Sequence, residues 1–161
     1  MEKEVQLTKT SSVNDRYLVF QLGEEFYAMP LLDVREVIAV PDSTPVPNSP
    51  DHFTGIMNLR GQVISIFDLR KKLNIKPADK TEENAVIIID INSINIGIVI
   101  DEVSSVQAIS EEEISGAPEL DSKHANKYLY GVAKKNDKLI LMIDLTKVLD
   151  VKDLEKAKKS A

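Results

Sequence analysis

The stretch GIMNLRGQVISIFDLRKKL, at residues 55–73, predicts a strand, a tight turn, a second strand and the start of a helix. The turn falls at Arg60-Gly61, where Gly supplies the positive φ that a two-residue turn between twisted strands favours. Asp68 follows the second strand and stands where a helix N-cap accepts a backbone N–H bond. These residues therefore form a local unit on which a β-rich fold can be built.

The same unit recurs later in the chain. Residues 131–149 read GVAKKNDKLILMIDLTKVL and align with residues 55–73 without a gap at an offset of 76, with six identities in nineteen positions. Asn136-Asp137 takes the place of the turn, because both residue types tolerate positive φ. Asp144 takes the place of the cap. The chain is therefore predicted to consist of two related halves.

Earlier parts of the two halves are also similar. Residues 27–37 align with residues 96–106 at an offset of 69 and preserve the apolar positions around an acidic residue. Short β-rich runs around turn residues predict hairpins at residues 17–30 and 85–100. After the first hairpin, residues 31–38 carry apolar side chains at near-helical spacing, which predicts one or two turns of amphipathic helix.

The predicted organisation is one folded domain between two tails. Residues 1–16 are polar and without a hydrophobic period, and are predicted to form a flexible N-terminal tail. The domain spans residues 17–150, with halves at roughly 17–78 and 79–150. Residues 151–161 form a C-terminal tail, either a short solvated helix or a frayed end.

The composition excludes several classes of protein. A formal net charge of −6 and a pI of about 5.0 argue against nucleic acid or anionic lipid as a partner. No cysteine is present, so disulfides and thiolate metal sites are excluded. No apolar run approaches the roughly 20 residues that a membrane helix needs, so no direct membrane insertion is expected. The N-terminus has no apolar leader pattern, which predicts a cytoplasmic location.

The sequence contains no pattern that predicts catalysis. His52 and His124 lie far apart, and neither has a second ligand at i+3 or i+4, so no metal site is expected. No phosphate-binding glycine motif occurs, so no cofactor is predicted. Asp68 and Asp144 could act as a catalytic acid pair only beside a nucleophile or metal in one cleft, and we interpret both as helix caps. The chain is predicted not to be an enzyme.

A charged pair is the candidate binding surface. Arg60 is placed at a turn tip and Glu36 on the polar side of the predicted short helix, so both are expected to be exposed. A routine surface ion pair, or no contact at all, is the simpler interpretation, and an exposed pair adds little stability. In an interface such charges would fix register and partner choice.

Several motifs resemble those of the family of bacterial chemotaxis coupling proteins called CheW, and they occur along this chain in the order typical of the family. The most specific are NLRG at residues 58–61 and FDLR at residues 67–70. Others are GEEFYAMP at 23–30, VREVI at 34–38, TPVP at 44–47 and GIVIDEV at 97–103. The resemblance covers residues 17–149. It implies an all-β fold with short helices, in which two SH3-like five-stranded β-barrel subdomains pack on a shared hydrophobic core.

The resemblance also implies a function. Family members are non-enzymatic adaptors that join the histidine kinase CheA to the cytoplasmic tips of chemoreceptors, and are held at membrane-bound receptor arrays through these partners. The kinase's regulatory domain is expected to dock at the outer ends of the barrels. The receptor tip is expected in the groove region between them, at the positions matching Val34, Glu36, Gly55, Arg60, Gly97 and Val106.

Two other classes of function are alternatives to the adaptor. A barrel that binds single-stranded nucleic acid needs stacking aromatics in a basic groove, whereas aromatic residues are only 5% of this acidic chain. A β-barrel peptide-binding or assembly module unrelated to chemotaxis stays open on the sequence alone.

Overall fold

The computed structural model describes residues 15–77, 84–116, 128–149 and 151–160, without the side chains of 151 and 158–160. These residues form eleven strands: β1 (Arg16–Leu22), β2 (Glu25–Pro30), β3 (Val34–Ala39), β4 (Phe53–Leu59), β5 (Gln62–Asp68), β6 (Ala85–Ile91), β7 (Ile94–Ile100), β8 (Glu102–Ala108), β9 (Ile114–Gly116), β10 (Leu129–Lys135) and β11 (Lys138–Ile143). Three α-helices are described: α1 (Leu69–Lys72), α2 (Leu145–Val148) and α3 (Val151–Ser160). Single 3-10 turns lie at Leu31–Asp33 and Glu111–Glu113.

The strands form two sheets, and each sheet contains strands from both halves of the sequence. The first sheet has the order β8-β1-β2-β11-β10-β9, and the second has the order β3-β6-β7-β5-β4. The pairs β2–β11 and β5–β7 are parallel, and the remaining neighbours are antiparallel. A boundary near residue 78 therefore separates the sequence repeats but does not separate the sheets.

The repeat in the sequence is a repeat in the structure. Strand β10 covers the residues of β4 shifted by 76, and α2 covers those of α1 shifted by the same number. Burial alternates identically along β4 and β10. The strand order of the second sheet, β3-β6-β7-β5-β4, matches the order β8-β1-β2-β11-β10 in the first sheet when each strand is replaced by its repeat-related strand. Strand β9 adds a sixth strand to the first sheet. The predicted all-β fold of two pseudo-repeated five-stranded units is confirmed.

Three groups of buried side chains hold the sheets together. A shared core lies between the sheets and contains residues of both, among them Phe20 and Phe67. Each sheet also has a smaller core of its own. The run of residues 86–89 shows how strands serve two cores: Val86 and Ile88 belong to the core of the second sheet, while Ile87 and Ile89 point into the shared core. Because alternate side chains point to opposite faces, a strand buried on both faces must be apolar throughout.

The predicted amphipathic helix at residues 31–38 is wrong. The chain makes one 3-10 turn at Leu31–Asp33 and then enters strand β3. Exposure alternates residue by residue along β3, which pairs antiparallel with β6, for example Ile38 with Val86. Val34, Val37 and Ile38 are β-branched and favour a pleated, half-buried surface over a helix. Pairing with β6 therefore overrides the near-helical spacing.

The predicted turns are confirmed. Arg60 and Gly61 have φ values of 54° and 86°, and Asn136 and Asp137 have values of 50° and 64°. The four residues lie at equivalent places in the β4–β5 and β10–β11 hairpins. Positive φ at both central residues matches the right-handed twist of the strands, which explains the residue types at these sites.

Both predicted helix caps are confirmed, and Asp68 has an additional role. Asp68 accepts a bond from the backbone N–H of Arg70, and Asp144 accepts one from that of Thr146. The buried Arg70 side chain also donates to Asp68 from Nε and Nη2, and to Asp101 from Nη1 at 2.6 Å. Burial alone would lower the pKa of Arg70, but these hydrogen bonds outweigh it and raise that pKa.

The Asp68–Arg70–Asp101 network joins the two sheets. Asp101 lies where the chain passes from β7 of the second sheet to β8 of the first. Its carboxylate accepts both from Arg70, which follows β5, and from the backbone N–H of Gly23 in the β1–β2 turn. The three charged residues are all buried, each with less than 10% of its surface exposed. Removing one member of such a buried charged group strongly destabilises the protein, because the remaining members stay desolvated and lose a partner.

The C-terminal segment forms the helix α3, which packs on the domain. Ala157 is buried in the shared core. Asp153 is also buried, and its carboxylate lies 2.6 Å from His52 Nε2 and 3.0 Å from Lys72 Nζ. The predicted N-terminal tail, apart from the residues at 15 and 16, lies outside the described residues.

The two caps provide a comparison of their contributions to stability. We expect Asp144→Ala to lower the free energy of unfolding by about 1 kcal/mol, since it removes the cap and one exposed hydrogen bond from the Thr146 hydroxyl. Asp68→Ala should cost about 3 to 5 kcal/mol, since it also leaves the Arg70 guanidinium buried with one carboxylate fewer. Urea denaturation of both variants measures the difference. Equal losses would show that the Asp68–Arg70 contact contributes nothing beyond the cap.

Candidate partner-binding surface

The side chain of Arg60 is held at the tip of a rigid hairpin. Asn58 Oδ1 accepts a 2.8 Å hydrogen bond from the backbone N–H of Gly61 and fixes the turn between β4 and β5. Arg60 takes up a left-handed φ in this turn, with 71% of its side chain exposed. The NLRG motif therefore builds a turn that presents one arginine to solvent.

Arg60 and Glu36 form a two-pronged ion pair, which the sequence alone could not establish. Arg60 Nη1 donates to Glu36 Oε2 at 2.7 Å, and Nη2 donates to Oε1 at 2.9 Å. A guanidinium that uses two parallel N–H bonds fixes its plane as well as its position. Arg60 is exposed as predicted, whereas Glu36 is only partly exposed, with 30% of its side chain accessible to solvent, and it lies on strand β3 and not on a helix.

This ion pair joins opposite edges of one sheet. Strands β3 and β4 are the first and last strands of the second sheet, so contact between Glu36 and Arg60 means that the sheet curls back towards itself. The repeat-related positions in the first sheet are Ser105 and Asn136, neither of which is charged. The ion pair is therefore a feature of the second sheet that the repeat does not reproduce.

The ion pair keeps both side chains charged. Hydrogen bonds from Arg60 hold the pKa of the Glu36 carboxyl below its usual range, against an opposing effect of burial. The same hydrogen bonds raise the pKa of Arg60. Because the pKa of Glu36 is lowered by folding, any stability from the pair is present at neutral pH and is lost as the pH falls through the folded-state pKa.

Gly55 shapes the backbone of strand β4. It is buried in β4 with a φ of 150°, and an added Cβ would lie 2.5 Å from the carbonyl oxygen of Thr44. Thr44 and Ile56 exchange two backbone hydrogen bonds of 2.8 and 3.0 Å. Gly55 thus lets the proline-rich segment at residues 41–50 lie against β4, and it offers no surface to a partner.

Gly97 is likewise a packing residue. It lies buried in β7, and an added Cβ would come within 2.9 Å of Val86 Cγ1 and 3.4 Å of Ile66 Cγ1. Those two side chains belong to the core of the second sheet. The absence of a side chain at Gly97 therefore lets this core close.

The two predicted valines differ in exposure and in sheet. Val34 is half-buried against the shared core, whereas Val106 is 46% exposed on edge strand β8 of the first sheet. The repeat-related position of Val106 is Val37, which is 40% exposed on edge strand β3. Of the six predicted residues, only Glu36 and Arg60 are in recorded side-chain contact with each other. Val37 is not among the six predicted residues, although the offset of 69 relates it to Val106.

Metal-binding geometry is not found in the part of the chain that the structure describes, since no group of three His, Asp or Glu side chains there could hold an ion. His52 stacks on Phe67 and pairs with Asp153. His124 lies outside the described residues. None of the helices within the described ranges is long and apolar enough to cross a membrane.

The chain has clear relatives. The family model for CheW-like domains matches residues 16–153. The chain is 30% identical to a chemotaxis protein CheW from Treponema pallidum over 152 residues, which cover 90% of this chain and 89% of the relative. It is 32% identical to a CheW from Klebsiella aerogenes over 143 residues, covering 89% and 86% of the two chains.

A solved structure has the same fold. The crystal structure of the scaffolding protein TtCheW from Thermoanaerobacter tengcongensis superposes with a TM-score of 0.78 at 32% identity. The match covers 87% of this chain and 95% of that one.

The fold and these relatives identify the chain as a two-sheet scaffolding module of chemotaxis. The chain belongs to the family of CheW-like domains. It is a chemotaxis coupling adaptor, as the sequence motifs predicted.

A glycine substitution tests the packing role of Gly97. We expect Gly97→Ala to lower the free energy of unfolding by about 1 to 3 kcal/mol, because the new methyl group overpacks the core of the second sheet. Gly116→Ala is the control, since its Cβ would meet no described atom within 4 Å. Urea denaturation compares them. An undisturbed Gly97→Ala variant that has lost partner binding would instead make Gly97 a contact residue.

Proposed function

We propose that this chain couples chemoreceptors to the histidine kinase CheA, by binding the regulatory domain of the kinase and the cytoplasmic tips of the receptors. It acts on the cytoplasmic side, at receptor arrays, and carries out no chemical step itself. The observation that carries this proposal is the exposed Arg60–Glu36 pair within a CheW-like domain.

The geometry of Arg60 suits a role in recognition. Most of its side chain is exposed, yet the bonds to Glu36 and the fixed turn limit the positions that the guanidinium can occupy. A charge oriented before binding loses less conformational freedom on association. Charges at the rim of an interface also select the partner and its register.

We expect the six predicted residues to contribute to the receptor site in three ways. Glu36, Arg60 and Val106 present side chains to solvent. Gly55 and Gly97 act through the backbone and the core, since both are buried and a side chain at either would collide with its neighbours. Val34 anchors the start of β3 on the shared core.

Isothermal titration tests the coupling function. The folded chain is titrated with the purified regulatory domain of the kinase, and separately with a receptor-tip fragment. We expect micromolar or tighter binding to both. Arg60→Glu should weaken receptor binding about tenfold or more, a loss of roughly 1.4 kcal/mol. Lys134→Glu makes the same charge change at an exposed position of the other hairpin and should leave the affinity unchanged.

A charge swap separates recognition from closure of the sheet. The double variant Glu36→Arg with Arg60→Glu restores an ion pair between β3 and the hairpin. We expect it to bind the receptor fragment as weakly as Arg60→Glu alone, because the partner contacts the guanidinium at position 60. Full recovery would mean that the pair only holds the edges of the sheet together.

Thermal melting controls for damage to the fold. A single surface charge is expected to shift the melting temperature by no more than a few degrees. A much larger drop in Arg60→Glu would make the arginine a structural residue. Absence of heat with both partners, from a wild-type protein shown to be folded, would contradict the coupling function.

A further inference from the structure

A cavity of about 440 Å³ opens between the two sheets. We call it the acidic groove. Its apolar wall includes Met29, Ile89 and Ile143, and its polar residues include Asp33, Asp90, Asp144, Tyr130 and Thr146. None of the six residues predicted to bind a receptor lines it. The groove is therefore separate from the Arg60–Glu36 pair.

The repeat relates the acidic groove to a place in the first half that is already filled. An offset of 76 relates Asp144 to Asp68 and Thr146 to Arg70, and an offset of 69 relates Asn92 to Gly23. These first-half residues belong to the buried network described above. The Arg70 guanidinium occupies the related place, with two 3.0 Å bonds from Nε and Nη2 to the two oxygens of Asp68.

The second half lacks an arginine at this place. The Thr146 N–H and hydroxyl both donate to Asp144 Oδ1, at 3.0 and 2.6 Å. Among the described residues, no hydrogen bond is recorded to Asp144 Oδ2. The exact repeat position of Asp101 is Leu32, but the neighbouring Asp33 lines the groove and supplies a second carboxylate. Nothing in the described chain pairs with Asp33.

The groove carries uncompensated negative charge. Burial, together with the charges of Asp144 and Asp90, raises the pKa of the Asp33 carboxyl. Asp90 has a cationic partner, since Arg35 Nη2 lies 2.7 Å from its Oδ2. The remaining carboxylates face a cavity, and they repel each other unless a cation enters it.

Several features favour a guanidinium as that cation. The described residues offer no metal-binding group of three. The planar fork of a guanidinium matches both oxygens of a carboxylate, as Arg70 does on Asp68. Tyr130 lines the groove, and a guanidinium is a cation that can stack on an aromatic ring.

We infer that the acidic groove is a docking site for an arginine side chain of a partner protein, which takes the place in the second half that Arg70 holds in the first. The aliphatic part of that side chain would contact the apolar wall, and the guanidinium would bond Asp144 and Asp33. The identity of the partner as kinase or receptor rests on the proposed function, but arginine recognition by the groove does not.

Nuclear magnetic resonance of the isotope-labelled full chain, titrated with N-acetyl-argininamide, tests recognition directly. We expect saturable shifts confined to the groove and a lowered pKa of the Asp33 carboxyl in the presence of the probe. N-acetyl-lysinamide, which lacks the planar fork, should bind more weakly.

Three carboxylate variants test the contacts. Asp33→Asn and Asp144→Asn should each weaken probe binding about tenfold or more, as expected for a lost hydrogen bond between charged groups. Asn is as good an N-cap as Asp, so Asp144→Asn keeps α2 intact. The matched control is Asp137→Asn, an exposed carboxylate at the β10–β11 turn, which should leave probe affinity unchanged.

Thr146→Arg provides the converse test, because it places an arginine of the chain itself in the groove. We expect this variant to lose probe binding and to melt at a higher temperature than the wild type, while Thr146→Ser resembles the wild type. Thr146→Arg should also weaken, about tenfold or more, the binding of whichever partner, the kinase regulatory domain or the receptor-tip fragment, inserts its arginine.

Three results would overturn the inference: no saturable shifts in the groove, equal binding of the arginine and lysine probes in wild type and variants, or unchanged affinity of Thr146→Arg for every partner that binds the wild type. If neither partner binds the wild type, the coupling function fails. The probe titration then still decides whether the groove recognises arginine.

Discussion

The fold depends on two parallel strand pairs that exchange strands between the halves of the chain. Pairing of β2 with β11, and of β5 with β7, gives each sheet strands from both repeats. Strands at these junctions are buried on both faces, and their side chains divide between the shared core and the core of one sheet. Neither half can bury its apolar faces alone, so the two sheets are expected to form together.

The exchange also builds the candidate binding surface. Glu36 and Arg60 both belong to the first half, on strands at opposite edges of the second sheet. The strands between them include β6 and β7, which come from the second half. The ion pair therefore depends on a sheet that is assembled from strands of both halves.

Some chemical differences between the repeats replace a charged side chain by a neutral one. Backbone and cores follow the repeat closely, whereas Arg60 corresponds to Asn136, Glu36 to Ser105 and Arg70 to Thr146. Each difference places a charged side chain in one half and a neutral one in the other. A symmetric fold thereby acquires an exposed ion pair on one sheet, a filled charged network on one side and an open acidic groove on the other.

The sequence by itself determined the hairpins, their turns, the helix caps and the repeat, because these depend on residues close together in the chain and on side-chain alternation. Local information was insufficient at residues 31–38, where β-branched residues at near-helical spacing became strand β3 once β6 was available to pair with them. The motifs identified Arg60 and Glu36 as candidates, but only the tertiary structure decided that they touch. The buried bond from Arg70 to Asp101 spans 31 residues, and the groove beside Asp144 joins segments more than a hundred residues apart. Such contacts are decided by how the two sheets pack on a common core, because the spacing of residues along the chain does not encode that packing.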